Sequence, residues 1–170
     1  MRVTSDLSDV VQRGPVPAGT YEAFVITKED VKTKDRHNPM AVLTWKIQDG
    51  EHAQREIRFD NIILGGLNKD GVPITPFRLC NFLDATQTPW GCCNCNNGEM
   101  PRSFLIGQGA EIDGLVKGKY YCPDCKTENL HISYDTDTFL GARARIVVST
   151  RKQEGRDVEV NNIDRYLPNG

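Results

Sequence analysis

Gly91-Cys92-Cys93-Asn94-Cys95-Asn96-Asn97-Gly98 and, further on, Tyr120-Tyr121-Cys122-Pro123-Asp124-Cys125 carry five of the six cysteines of the chain. Two Cys-x-x-Cys pairs, Cys92/Cys95 and Cys122/Cys125, are separated by 26 residues, which is how the two knuckles of a zinc ribbon are spaced. Each knuckle is a tight turn that points two thiolates at one ion, and Asn94, Asn96, Asn97, Gly98 and Pro123 are residues that such turns use. Cys93/Cys95 is an alternative first pair; the two-residue spacing favours Cys92. A catalytic zinc keeps a position open for water, whereas four thiolates close the site, so we expect one structural Zn2+. Binding of that kind folds a segment too small to have a core of its own. With the thiolates filling the site, His131 reads as a strand-surface residue. The span between the pairs has room for strands at 102–106 and 117–121, and a third at 129–134 would complete a small sheet.

Disulfides are the competing reading and would suit a secreted chain. The first residues, MRVTSDLSDV, hold no apolar run, so we expect no signal peptide, reduced thiols and a cytoplasmic protein. No apolar stretch approaches the roughly 20 residues that span a bilayer. In 170 residues with 38% hydrophobic and 26% charged side chains, one packed domain with a small insert is feasible and wholesale disorder is not expected. Cys80, far from the knuckles in an apolar helical pattern, reads as core.

Outward from the ribbon the chain is β-patterned. Residues 1–16 read as a polar tail. TYEAFVIT at 20–27 is rich in aromatic and β-branched residues and reads as a strand. At 40–48, Ala41, Leu43, Trp45 and Ile47 share one face and should be core, with Val42, Thr44, Lys46 and Gln48 opposite. After the Asp49-Gly50 turn signal, alternation resumes at 54–64, with Ile57 and Phe59 expected inward and Arg58 and Asp60 outward. Residues 73–85 change period: Phe77, Cys80, Phe82 and Leu83 suit a short helix, with Thr75 as N-cap and Pro76 at its first position. Trp90 is expected to pack against the ribbon. Residues 134–138 read as a polar linker. The clearest strand is 139–150, where Ala142, Ala144, Ile146 and Val148 face one way and Arg143, Arg145, Val147 and Ser149 the other. Residues 151–156 read as a hairpin tip with Gly155 at the bend, leading to a last strand at 157–167.

Five strands with a helix between the third and fourth match the order of an OB-fold barrel, whose surface commonly binds oligonucleotides. We therefore expect a mainly β chain: a five-stranded OB-fold-like barrel built from 17–87 and 136–170, with the ribbon inserted at 88–135. Net charge is only −2, but its distribution is uneven. Between Gly141 and Arg156, five cations stand against Glu154, a local excess of +4. A cationic stripe beside flat side chains is what an unpaired polynucleotide requires, since it offers a phosphate at every nucleotide and a free base face. The candidate phosphate contacts are Arg143, Arg145, Arg151, Lys152 and Arg156, with Lys46 and Arg58 on neighbouring strands. The candidate stacking residues are Tyr21, Phe24, Trp45, Phe59 and Tyr166, for each of which core packing is the competing reading. The sequence holds no P-loop, no His-rich metal cluster and no Ser/His/Asp grouping, and Asp49, Glu51, Glu56 and Asp60 alternate beside Arg55 and Arg58 as solvated ion pairs would. We read no enzyme in it.

Several short stretches carry a resemblance. Pro17-Ala18-Gly19-Thr20-Tyr21 opens the first strand and Asn38-Pro39-Met40 the second. Phe59-Asp60-Asn61-Ile62 ends the third, and Phe77 to Leu83 covers the helix. Leu140-Gly141-Ala142-Arg143-Ala144-Arg145 begins the fourth, and Arg165-Tyr166-Leu167-Pro168 closes the chain. In this order and spacing, over about 17–87 and 138–168, the chain resembles a family of phage-encoded single-stranded-DNA-binding proteins of replication and recombination modules, long catalogued as a domain of unknown function. Its members usually have a short connection where this chain carries the ribbon. The resemblance implies single-stranded DNA as partner. A zinc-ribbon adaptor binding a phage or host replication, recombination or transcription protein is the alternative, and the two can coexist.

Overall fold

The computed structural model describes residues 1–5, 14–72, 76–108, 114–128 and 130–169; the expectations placed on Thr75 and on residues 6–13 of the tail lie outside them. In chain order the elements are β1 (Gly19–Lys32), β2 (Pro39–Ile47), β3 (Glu56–Ile63), helix α1 (Phe77–Thr86), β4 (Trp90–Cys92), β5 (Asn97–Met100), β6 (Leu105–Ile106), β7 (Tyr120–Tyr121), β8 (Ile132–Ser133), a 3-10 turn (Thr136–Phe139), β9 (Arg143–Lys152) and β10 (Glu159–Leu167). The main sheet is antiparallel with order β10-β9-β1-β2-β3.

Alternation places this sheet. Ala41, Leu43, Trp45 and Ile47 are all fully buried, as their shared period predicts, and Ala144, Ile146 and Val148 join them from β9. Helix α1 lies on this inner face with Leu79, Cys80, Phe82 and Leu83 buried. Phe82 meets Trp45 and Tyr166 edge-on at 6.0 and 5.4 Å. Burial pushes the Cys80 thiol up to about 12, so it behaves as a small apolar side chain.

The chain is mainly β with the five expected strands in one antiparallel sheet, but that sheet does not close on itself as a barrel would. Among the described residues no ladder joins β3 to β10, so the five-stranded sheet is open. Two features keep it so. Each of these edges carries an extra residue: Leu43 and Trp45 face Asp60 and Ile57 across β2 and β3, and Val148 and Val147 face Ile163 and Arg165 across β9 and β10. A side chain also occupies the seam, because the Arg78 guanidinium of α1 pairs with the Asp60 carboxylate on β3 and donates to the Ile163 carbonyl on β10 at 2.8 Å.

The bulge in β3 reverses two expectations at once. Phe59, expected inward, is 79% exposed with φ 61°, and Asp60, expected outward, is 4% exposed. The buried carboxylate accepts hydrogen bonds from Trp45 Nε1 at 2.8 Å and the Tyr166 hydroxyl at 2.7 Å besides pairing with Arg78. Trp45 and Tyr166 stack on each other at 5.7 Å and are 0% and 1% exposed. Neither ring has a face to offer a base, and both leave the list of candidate stacking residues.

The inserted ribbon is built from two small sheets rather than the single one anticipated: β5-β4-β8 and β6-β7. Its apolar residues Trp90, Cys92, Phe104 and Cys122 belong to the same buried cluster as the main sheet. Trp90 stacks on Phe104 at 4.3 Å with the rings 6° from parallel, and the Phe104 amide donates to Asp84 of α1 at 2.9 Å. Residues 134–138 are not a loose linker either. Phe139 is fully buried at 4.7 Å from Phe82, and Lys28 pins the turn through Asp137 at 2.8 Å.

Burial pushes the Asp84 carboxyl up to about 6, against the lowering effect of the Phe104 amide. A folded-state value raised above the unfolded one gives stability that is complete near pH 4 and lost as pH rises through about 6. Asp84→Asn retains the acceptor without the charge. At pH 8 it is expected to be more stable than the parent by about 1 kcal/mol, after discounting for partial solvent screening, and the gap should close by pH 4 in thermal melts.

Candidate metal centre and basic sheet face

The Sγ atoms of Cys92, Cys95, Cys122 and Cys125 all lie within 4.8 Å of one another. Cys92 and Cys125 are 3.6 Å apart, and Cys95 and Cys122 3.9 Å. Four thiolates placed tetrahedrally around an ion at about 2.3 Å would be about 3.8 Å apart. The donor set and its spacing therefore fit a tetrahedral, thiolate-preferring metal ion. Cys93 is exposed and outside the cluster, which settles the first pair as Cys92/Cys95.

Local sequence makes the two turns alike. The residue after each second cysteine, Asn96 and Lys126, takes a left-handed conformation (φ 57° and 52°), and the Lys126 amide returns to the Cys122 carbonyl at 3.1 Å. Thr127 Oγ1 donates to Cys125 Sγ at 3.2 Å, and the Thr127 hydroxyl and amide together draw that thiol down to about 7; against the lowering effect of the Asn97 amide, burial and the neighbouring thiols push Cys95 up to about 11. His131 acts through its backbone: its carbonyl accepts from the Cys93 amide at 2.8 Å, and its own amide donates to Asn94 Oδ1 at 2.9 Å. Its side chain is exposed and outside the cluster. Arg102 ties the knuckles together, lying 4.2 Å above the Trp90 ring and pairing at 2.8 Å with Asp124, which also accepts from Asn97 at 2.6 Å.

The second feature lies on the outer face of the main sheet. Ladder register places Phe24 of β1 opposite Arg143 of β9 on one side and Lys46 of β2 on the other. Residues opposite each other in a ladder project to the same face, so a half-buried ring is flanked by two cations in one cross-strand row. Neither cation has an ion pair among the described residues. Arg58 is next along β3 and pairs with Glu56, the register partner of Lys46, at 2.9 Å. Beside this row is a concavity of about 550 Å³ whose lining includes Ile26, Val42, Thr44, Arg58 and Phe59.

The remaining candidates are dispersed. Arg145 is opposite Glu22 and donates to the Pro168 carbonyl at 2.9 Å. Arg151 lines a groove of about 1040 Å³ along the β3/β10 seam, where Glu56, Asp157 and Glu159 offset the arginines. Lys152 is 3.9 Å from Asp157 at the β9–β10 hairpin, and Arg156 is exposed in its turn. The cations of 141–156 are thus shared between the outer face and the hairpin tip expected at 151–156, and β9 begins at Arg143 rather than at 139. Tyr21 is half-buried, its ring centroid 5.9 Å from that of His52 with the two rings nearly perpendicular. Sequence reasoning missed that Phe59 is outside; the signal was the apolar spacing itself, since 57 and 62 can share a face only if an extra residue lies between them.

Among the described residues no helix is long and apolar enough to cross a membrane. No curated protein matches the chain. The family described as "Protein of unknown function (DUF669)" matches residues 3–100, which takes in β1 to β3, α1 and the first knuckle. With more than half of its length matched, the chain belongs to the DUF669 family.

Proposed function

We propose that the protein binds single-stranded DNA across the outer face of its main sheet, in the setting of phage replication and recombination, and that its four cysteines hold one structural Zn2+. The observation that carries the reading is the row Arg143–Phe24–Lys46: two unpaired cations for consecutive phosphates and a ring between them for a base. The strand order supports an OB-like sheet opened between its third and last strands, and partly open barrels of this kind are a common oligonucleotide-binding scaffold. The four-thiolate donor set supports zinc, bound for stability rather than chemistry. The protein on this reading is a binding protein and not an enzyme, and it works in a cytoplasm, where its thiols stay reduced.

Fluorescence anisotropy with a labelled oligothymidylate, read at several salt concentrations, tests the site. The double variant Arg143→Ala/Lys46→Ala should bind more weakly, and its log–log salt slope should be shallower by about 1.4, because two fewer phosphates release counterions. An unchanged slope would remove both side chains from the interface. Phe24→Ala should lower affinity by about 1 to 3 kcal/mol with the slope intact.

A second reading, binding of a replication, recombination or transcription protein through the ribbon, is favoured by one observation. Phe77 and Ile106 are 51% and 38% exposed, and both meet Tyr120, Phe77 with its ring centroid 5.7 Å away and Ile106 as its ladder partner, where ribbon and helix join. An adaptor using this patch alone would show no oligonucleotide-length dependence in the same titration.

A further inference from the structure

Apart from the terminal Met1, Phe59 is the most exposed large apolar side chain among the described residues. The others that take positive φ without being glycine are His37, Gln54, Gln87, Asn96 and Lys126, all polar. Burial of Asp60 explains why β3 needs a bulge, but not why the bulged residue is aromatic. The fold alone would favour Gly or Asn there, since left-handed backbone is costly for a bulky side chain and an exposed ring gains nothing from packing. The ring also has a definite place. It lines the outer-face concavity together with Val42 and Thr44, which share the outer face of β2 with Lys46, and it borders the seam groove on its other side. Arg58 precedes it.

We propose that Phe59 is a second base-stacking platform, held out from the sheet by the β3 bulge, so that a strand crossing the Arg143–Phe24–Lys46 row places a further base on it at the seam edge. This rests on the outer-face reading and extends it from one base to a path with a direction, from β9 toward β3. Arg58 is the cation beside the added base.

Phe59→Trp tests the proposal in the intact protein. The two native tryptophans, Trp45 and Trp90, are both 0% exposed, so the F59W indole is the accessible one. Twenty-residue oligothymidylate should quench F59W emission while leaving parent emission nearly unchanged. Phe59→Asn should raise the thermal midpoint by a few degrees, because Asn tolerates left-handed backbone. The same variant should weaken oligothymidylate binding about 5- to 150-fold, the loss of one stacked base, with the salt slope unchanged. A purely structural role would not move stability and affinity in opposite directions. Unquenched F59W emission in a sample whose anisotropy shows bound oligonucleotide would overturn the Phe59 platform and leave the outer-face site standing. If the parent protein itself produces no anisotropy rise, the outer-face reading fails and the platform with it.

Discussion

Cys122→Ser is expected to release the metal and to unfold far more than the ribbon. Metal binding by zinc-finger peptides is worth about 10 to 16 kcal/mol at neutral pH, as much as the whole stability of an ordinary domain, about 5 to 15 kcal/mol. The insert has little else to hold it: β6, β7 and β8 are two residues each. Because Cys122 is fully buried in the same cluster as Trp90, Phe104 and the main sheet, melting of the knuckles removes the cover from α1. The thermal midpoint should therefore fall for the entire protein, with elemental analysis reporting less than one metal per chain. Cys93→Ser is the contrast. That thiol is exposed and outside the cluster, so metal content and midpoint should match the parent. A C122S protein with a full metal complement would remove the four-thiolate centre.

The second large effect is expected at Asp60. Its carboxylate accepts from Trp45 and Tyr166 and neutralises Arg78, all at the point where the two open edges come together. Burial first, and the Asp60 charge second, push the Tyr166 hydroxyl well above its ordinary value, so it remains a donor throughout the physiological range. Asp60→Ala leaves two buried donors without an acceptor and a half-buried guanidinium without its counter-ion. Removal of one partner from a buried pair typically costs about 3 to 5 kcal/mol, and the urea midpoint should fall accordingly. Asn at this position can accept from one donor but cannot neutralise Arg78, so Asp60→Asn should fall between the parent and D60A. If D60A melts with the parent, the seam is held by something other than this network.

The inner face of β2 was legible because strict alternation over Ala41, Leu43, Trp45 and Ile47 permits one orientation. The four-cysteine cluster was legible because two Cys-x-x-Cys turns at this spacing read as the two halves of one metal-binding site. What escaped were features that depend on where one strand meets another. Alternation read straight through 57–60 puts Phe59 inside; the odd spacing of Ile57 and Ile62 signals an extra residue, and the register against β2 shows where it lies. Trp45 and Tyr166 were candidates for stacking because an aromatic residue carries no label for solvent or core; the buried Asp60 between them decides the matter. The pairing of Arg143 and Lys46 about Phe24 could not be read from any window, since it joins three strands drawn from opposite ends of the chain.

The position of β9 has a consequence for biosynthesis. It lies between β1 and β10, with Tyr21 paired to Ile146, so a nascent polypeptide emerging from the ribosome can form the β1–β2–β3 meander early but must leave the outer rim of β1 without a neighbour until β9 has emerged. Both knuckles are translated during that wait. The four cysteines are thus free to come together before the sheet is complete, and the late pairing of β9 with β1 is the kind of long-range closure that sets the pace of β-rich chains.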